Sequence, residues 1–316
     1  MLLSRVADAL YWSSRYLERA EHTARLINVA VDLRLGQPSV SSEGIVGVFG
    51  RLILPAGMPV SSQALIATAM FDITNRNSVA SCIISARDNA RQVRDEITAD
   101  VWEQINALFL RVIQMRNDPA ATGRSSYITR SIIESVHLVE GITDATMGHG
   151  EGWQYLQAGR FMERAGATAA LLDACFVDGW GPEAARQMDQ AEWVAVLRAC
   201  AALEGYCRRY TAEIRPDRVA EFLLLNPEFP RSIRFAATRV EAALQALTQY
   251  SGRAGGERAE RLSGRLRASL DYAQIDEVLG DGPHGYLTGV GRQCAHIHTA
   301  LYQSYVAYPI ESALPA

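Results

Sequence analysis

Apolar side chains recur at helical spacing along almost the whole chain, and no convincing stretch alternates apolar with polar residues. The pattern predicts an all-α protein, a helical bundle. The first helix, at about residues 3–30, lines up Val6, Leu10, Leu17, Ala20, Ala24 and Ile27 on one face, a stripe broad enough to pack into a bundle. Residues 36–60 mix Gly, Pro and Ser with short apolar pieces, which predicts a loop and a short helix. Helices follow at about 61–73, 78–97 and 100–115; after the polar break Asn117-Asp118-Pro119 to Gly123-Arg124 comes another at about 126–146. Beyond the glycine-dense run from Met147 to Gly152, helices are predicted at about 153–176, 182–213, 231–250, 256–280 and 285–307. Ser251 to Gly256 reads as a turn, and Asn226-Pro227-Glu228-Phe229-Pro230 as a helix stop and restart.

The same pattern carries a repeat. The thirteen residues from Arg15 to Ile27 return as Arg160 to Leu172, with seven identities, among them Glu18-Arg19 against Glu163-Arg164. A weaker echo sets Asn77-Ser78-Val79 against Arg231-Ser232-Ile233. A string that divides the chain almost in half predicts two tandem copies of one helical unit, residues 1–147 and 148–316, packed tightly enough to form one fused bundle.

Composition narrows the function classes. A net charge of −4 argues against a general nucleic-acid binder. No apolar run is long enough to span a membrane, and the opening residues lack a signal-peptide layout, so the expected location is the cytoplasm. All 31 basic residues are Arg. Schiff-base and P-loop lysine chemistry is thereby excluded, and every fixed cation is a guanidinium suited to two-pronged carboxylate or phosphate contact. The five scattered cysteines form no Cys-x-x-Cys and read as reduced, buried small hydrophobes.

On a helical wheel Tyr11, Trp12, Arg15, Glu18, Arg19, His22 and Arg25 fall opposite the apolar stripe. Arg160, Glu163 and Arg164 keep the geometry in the second copy, where Ala167 and Ala170 replace His22 and Arg25. Such a cluster can hold an anionic or zwitterionic ligand, or a partner chain. It can equally be a solvated face of ion pairs, or a buried pair fixing register between the copies. Tyr11 and Trp12 are costly to leave in water, so something covers this side. Glu18 and His22 are the titratable groups there and the candidate acid–base pair. They also have metal-ligand spacing, but Ala167 removes the second ligand pair and no metal is expected. His296 and His298 project to different sides of a helix, and Arg87-Asp88-Asn89-Ala90-Arg91 reads as a charged helix face.

The opening run Leu3 to Trp12, leading into Arg15-Tyr16-Leu17-Glu18-Arg19-Ala20-Glu21, resembles the start of the bacterial alpha-E domain family, all-helical and marked by a Glu-Arg motif. The likeness continues through Arg87 to Arg91, Trp102, Gly159 to Ala165, Phe222 to Asn226 and Pro230 to Ile233. It implies a context: a circularly permuted ATP-grasp protein encoded beside or fused to the domain, and a transglutaminase-like protein nearby. The function so implied is that of a helical partner subunit in ATP-dependent amide or peptide-bond formation, shaping the amino-acid or peptide acceptor site. ATP and Mg²⁺ are expected on the ATP-grasp partner and no cofactor on this chain. Two alternatives stand beside it: a stand-alone amidase or transferase on small amino-acid amides, and a plain helical scaffold.

Overall fold

A computed structural model describes residues 2–35, 40–118, 120–177, 188–251 and 256–306. Among the described residues every regular element is helical, with no strand. In chain order these are α1 (Ser4–Leu35), α2 (Val40–Ile53) and α3 (Ser62–Ala64), which runs on as a π-helical segment (Leu65–Phe71). Next come α4 (Val79–Gln92), α5 (Ala99–Arg116), α6 (Ser125–Thr146) and α7 (Glu151–Phe176). The remainder is α8 (Gln190–Ala199), α9 (Leu203–Tyr210), α10 (Pro216–Leu225), α11 (Ile233–Ser251), α12 (Glu257–Asp271), α13 (Ile275–Gly280) and α14 (Pro283–Tyr305).

Local chemistry sets several starts. Ser78 and Thr98 accept the Ser81 and Val101 amides at the heads of α4 and α5, satisfying donors that have no helical partner. Asp189 and Glu192 form a reciprocal capping box at α8. Pro216 and Pro283 open α10 and α14, where a missing N–H costs nothing.

The predicted helix at 182–213 is instead broken between α8 and α9. Ala201 turns to φ 49°, and the Ala202 amide reaches back to the Leu197 carbonyl at 2.7 Å, a left-handed helix end made without glycine. The stretch predicted at 256–280 divides into α12 and α13. The chain between α9 and α11, expected only as a stop and restart, contains α10. Residues 36–39, Pro119, 182–187, 252–255 and 307, which figure in the predicted loops and helix ends, lie outside the described residues.

Two long helices form the centre. Helix α1 packs on α4, α6 and α7; α7 packs on α1, α11 and α14; α5 bridges α4 and α6, as α12 bridges α11 and α14. The two central helices cross almost backbone to backbone. A Cβ on Gly159 would stand 2.3 Å from the Tyr11 carbonyl oxygen, and the Ser14 hydroxyl donates to the Leu156 carbonyl at 2.6 Å. Only a residue without Cβ fits at Gly159.

Candidate functional site

The face of α1 that the wheel sets apart is covered from within the chain. Tyr11 is fully buried, Glu18 is 1% exposed and Arg164 4%. The polar residues are tolerated because they meet partners carried by α7, α6 and the turn before α11.

Across the crossing the two Glu-Arg pairs are reciprocal. Arg19 donates from Nε to Glu163 Oε1 at 2.6 Å and from Nη2 to Oε2 at 3.1 Å. Arg164 grips Glu18 the same way, from Nε at 2.7 Å and Nη2 at 2.5 Å. These two-pronged contacts are the geometry a guanidinium offers a carboxylate. Arg15 adds a third donor to Glu163, at 2.8 Å. Arg231, in the turn just before α11, approaches Glu18 at 3.4 Å and Glu21 at 2.6 Å. Glu21 also meets Arg25 and the His137 ring, and Glu140 of α6 accepts from Arg160 at 2.6 Å. Six guanidiniums thus surround four carboxylates, a local excess of positive charge.

Burial alone would raise the carboxyl pKa of Glu18, but Arg164 and Arg231 outweigh it and hold the group below the usual range. Burial works on Glu21 and Glu163 too, and is overridden there by Arg231 and by Arg15 with Arg19. At Glu140 burial prevails over Arg160 and raises the value. His22 is pushed down to about 4, by burial first and then by Arg231. Burial pushes the Cys82 and Cys200 thiols up to about 12, which keeps them protonated.

Of the residues singled out from sequence, Arg15, Glu18, Arg19, Arg160, Glu163 and Arg164 belong to this network. His22 lies within its field without a hydrogen bond to it. Trp12 lies at its edge, with the Arg15 guanidinium 4.7 Å above its ring. Arg25, set on the same face by the wheel, belongs to it through Glu21; Glu21 itself, Glu140, His137 and Arg231 complete it and were not predicted. Arg231 alone had a signal, as the counterpart of Asn77 in the weaker echo. Asn77 indeed accepts from Arg19 at 3.1 Å.

Two roomy openings border the network, beside a smaller one that Glu140 and Arg160 line. A cleft of about 810 Å³ lies among α1, α6 and α8, with Arg25, Asn28, Asp32 and Arg198 on its walls. A groove of about 240 Å³ lies between α7 and α14, with Arg15, Glu163 and His298 among its lining residues. The buried Tyr11 hydroxyl and His298 Nδ1 stand 3.0 Å apart with their rings within 7° of parallel. Among the described residues no group of three or more potential ligands could hold a metal ion, and no helix is long and apolar enough to cross a membrane.

Residues 2–306 match the family described as "A predicted alpha-helical domain with a conserved ER motif". The chain belongs to the Alpha-E family. Related chains in Mycobacterium bovis and in two strains of Mycobacterium tuberculosis, each designated an uncharacterized protein, are 27% identical over 322 residues. The match covers 94% of this chain but 35% of each relative, so the Alpha-E chain spans about a third of the length of the curated relatives it matches. No solved structure matches it.

Proposed function

We propose that this Alpha-E chain is a non-catalytic helical partner of an ATP-grasp amide ligase, and that it shapes the site where the amino-acid or peptide acceptor is held. The observation carrying this reading is that the Glu-Arg groups are engaged with one another across α1 and α7. Their chemistry goes into holding a rigid bundle, which is what a docking and shaping module needs. The mycobacterial relatives support it, because in them the matching region is joined to roughly twice its own length of further chain. Activation of the carboxylate by ATP and Mg²⁺ falls to the partner; a transglutaminase-like protein is a second candidate associate, and the expected setting is the cytoplasm.

The stand-alone amidase or transferase is the weaker reading. Glu18 is held ionised between two guanidiniums and is a poor base, while His22, with its pKa near 4, is neutral and weakly basic at neutral pH.

Co-purification with a circularly permuted ATP-grasp protein from the same genome tests the proposal, with ATP turnover measured for each protein and for the pair. A stable complex with acceptor-dependent turnover only in the pair is expected. No complex, or full turnover by the partner alone, would overturn it.

A further inference from the structure

The groove between α7 and α14 has the chemistry of a receptor for one small carboxylate. Arg15, Glu163 and His298 are its polar lining, the buried Tyr11 hydroxyl touches both Arg15 and His298 from behind, and their hydrogen bonds fix what each can offer. Arg15 has five N–H donors. Glu163 takes the one on Nε at 2.8 Å and pairs with Nη2 at 2.7 Å, and the Tyr11 hydroxyl takes one on Nη1 at 3.4 Å, leaving at least two.

The Tyr11 hydroxyl accepts from Arg15, so its own hydrogen goes to the remaining neighbour, His298 Nδ1. That assigns the ring proton of neutral His298 to Nε2, as a donor. Burial, with Arg15 nearby, keeps the ring neutral. The Cys294 thiol, also pushed up by burial, lines the same wall.

Charge gives the sign of the occupant. Around Glu163 stand two guanidiniums, Arg15 and Arg19, for one carboxylate, a surplus of one positive charge. Shape gives its body. The side walls are Gly166, Ala167, Gly291 and Ala295, and a Cβ placed on either glycine would meet nothing within 4 Å. That leaves room for a small chain attached to the anion.

We propose that this groove binds the carboxylate of a small molecule or peptide terminus, one oxygen taken by a free Arg15 N–H and the other by His298 Nε2–H. A singly charged, planar, two-oxygen anion matches the unit surplus and the two donors better than a phosphate dianion. The binding chemistry stands apart from the ligase reading, so the failure of either leaves the other intact.

Ring-nitrogen NMR of the isolated chain tests it, with His298 identified by the resonance lost in His298→Ala. Acetate, diglycine and inorganic phosphate serve as probes. Acetate and diglycine should shift the His298 resonances saturably, starting from the Nε2–H form. Arg15→Lys should weaken binding about tenfold or more, the loss expected for a charged hydrogen bond. Gly291→Leu, which fills open space, should abolish binding without lowering the melting temperature. No saturable shift with either carboxylate, an equal shift in folded Gly291→Leu, or a response to phosphate alone would overturn it.

Discussion

Glu18 shows how the centre of this molecule works at the scale of a residue. Its carboxylate lies wholly inside the protein, where an unpaired charge would be intolerable, and two guanidiniums make its burial possible. Substituting Arg164 by Met leaves that charge half-compensated, and urea unfolding should show a loss of about 3–5 kcal/mol. The network also has an acid limit. Glu18, Glu21 and Glu163 have folded pKa values below the unfolded value of 4.5, so the unfolded chain binds protons first as pH falls. Their stabilisation is complete above 4.5 and drains away below it. Glu140, raised by burial, has the opposite sign. His22 acts at higher pH. Its folded value of about 4 lies below the unfolded 6.5, so its contribution is full above 6.5 and is lost as pH falls towards 4. His22→Gln should flatten stability against pH across that window, measured by denaturant melts; an unchanged slope would remove His22 from the account.

At the scale of elements, the α1–α7 crossing depends on glycine at 159. Gly159→Ala improves helix propensity yet drives a methyl into the Tyr11 carbonyl, and should cost about 1–3 kcal/mol. Gly141→Ala on α6, where a Cβ meets nothing, should instead stabilise by up to about 1 kcal/mol. Thermal melts of the two variants separate close packing from propensity. The long central helices were legible from the sequence because their apolar period is uninterrupted. The break after α8 was not, since Ala201 holds a left-handed turn without glycine or proline to announce it. Helix α10 was hidden because Pro216, at its first turn, and the Asn226–Pro230 breaker bracket a run of only ten residues. The Glu-Arg positions were equally legible, but what they face was not. The wheel separates the two sides of α1 and carries no information on Arg231 or Glu140, which arrive from distant parts of the chain.

Over the whole molecule, α1 gathers α4 and α6 around it, and α7 gathers α11 and α14. The reciprocal Glu-Arg grip joins the helices around α1 to those around α7. Residues 1–147 and 148–316 expressed separately should each lack cooperative unfolding, because each half exposes the charges that the other neutralises, and co-expression should restore a complex. Two independently stable halves would mean the grip is dispensable. The surfaces left for partners are then the openings this frame holds in place. The most direct test of the frame is a double-mutant cycle of Glu18→Gln and Arg164→Met, read by equilibrium unfolding. A coupling of about 2 kcal/mol or more is expected if the pair clamps α1 to α7. Additive losses, with no coupling, would contradict it.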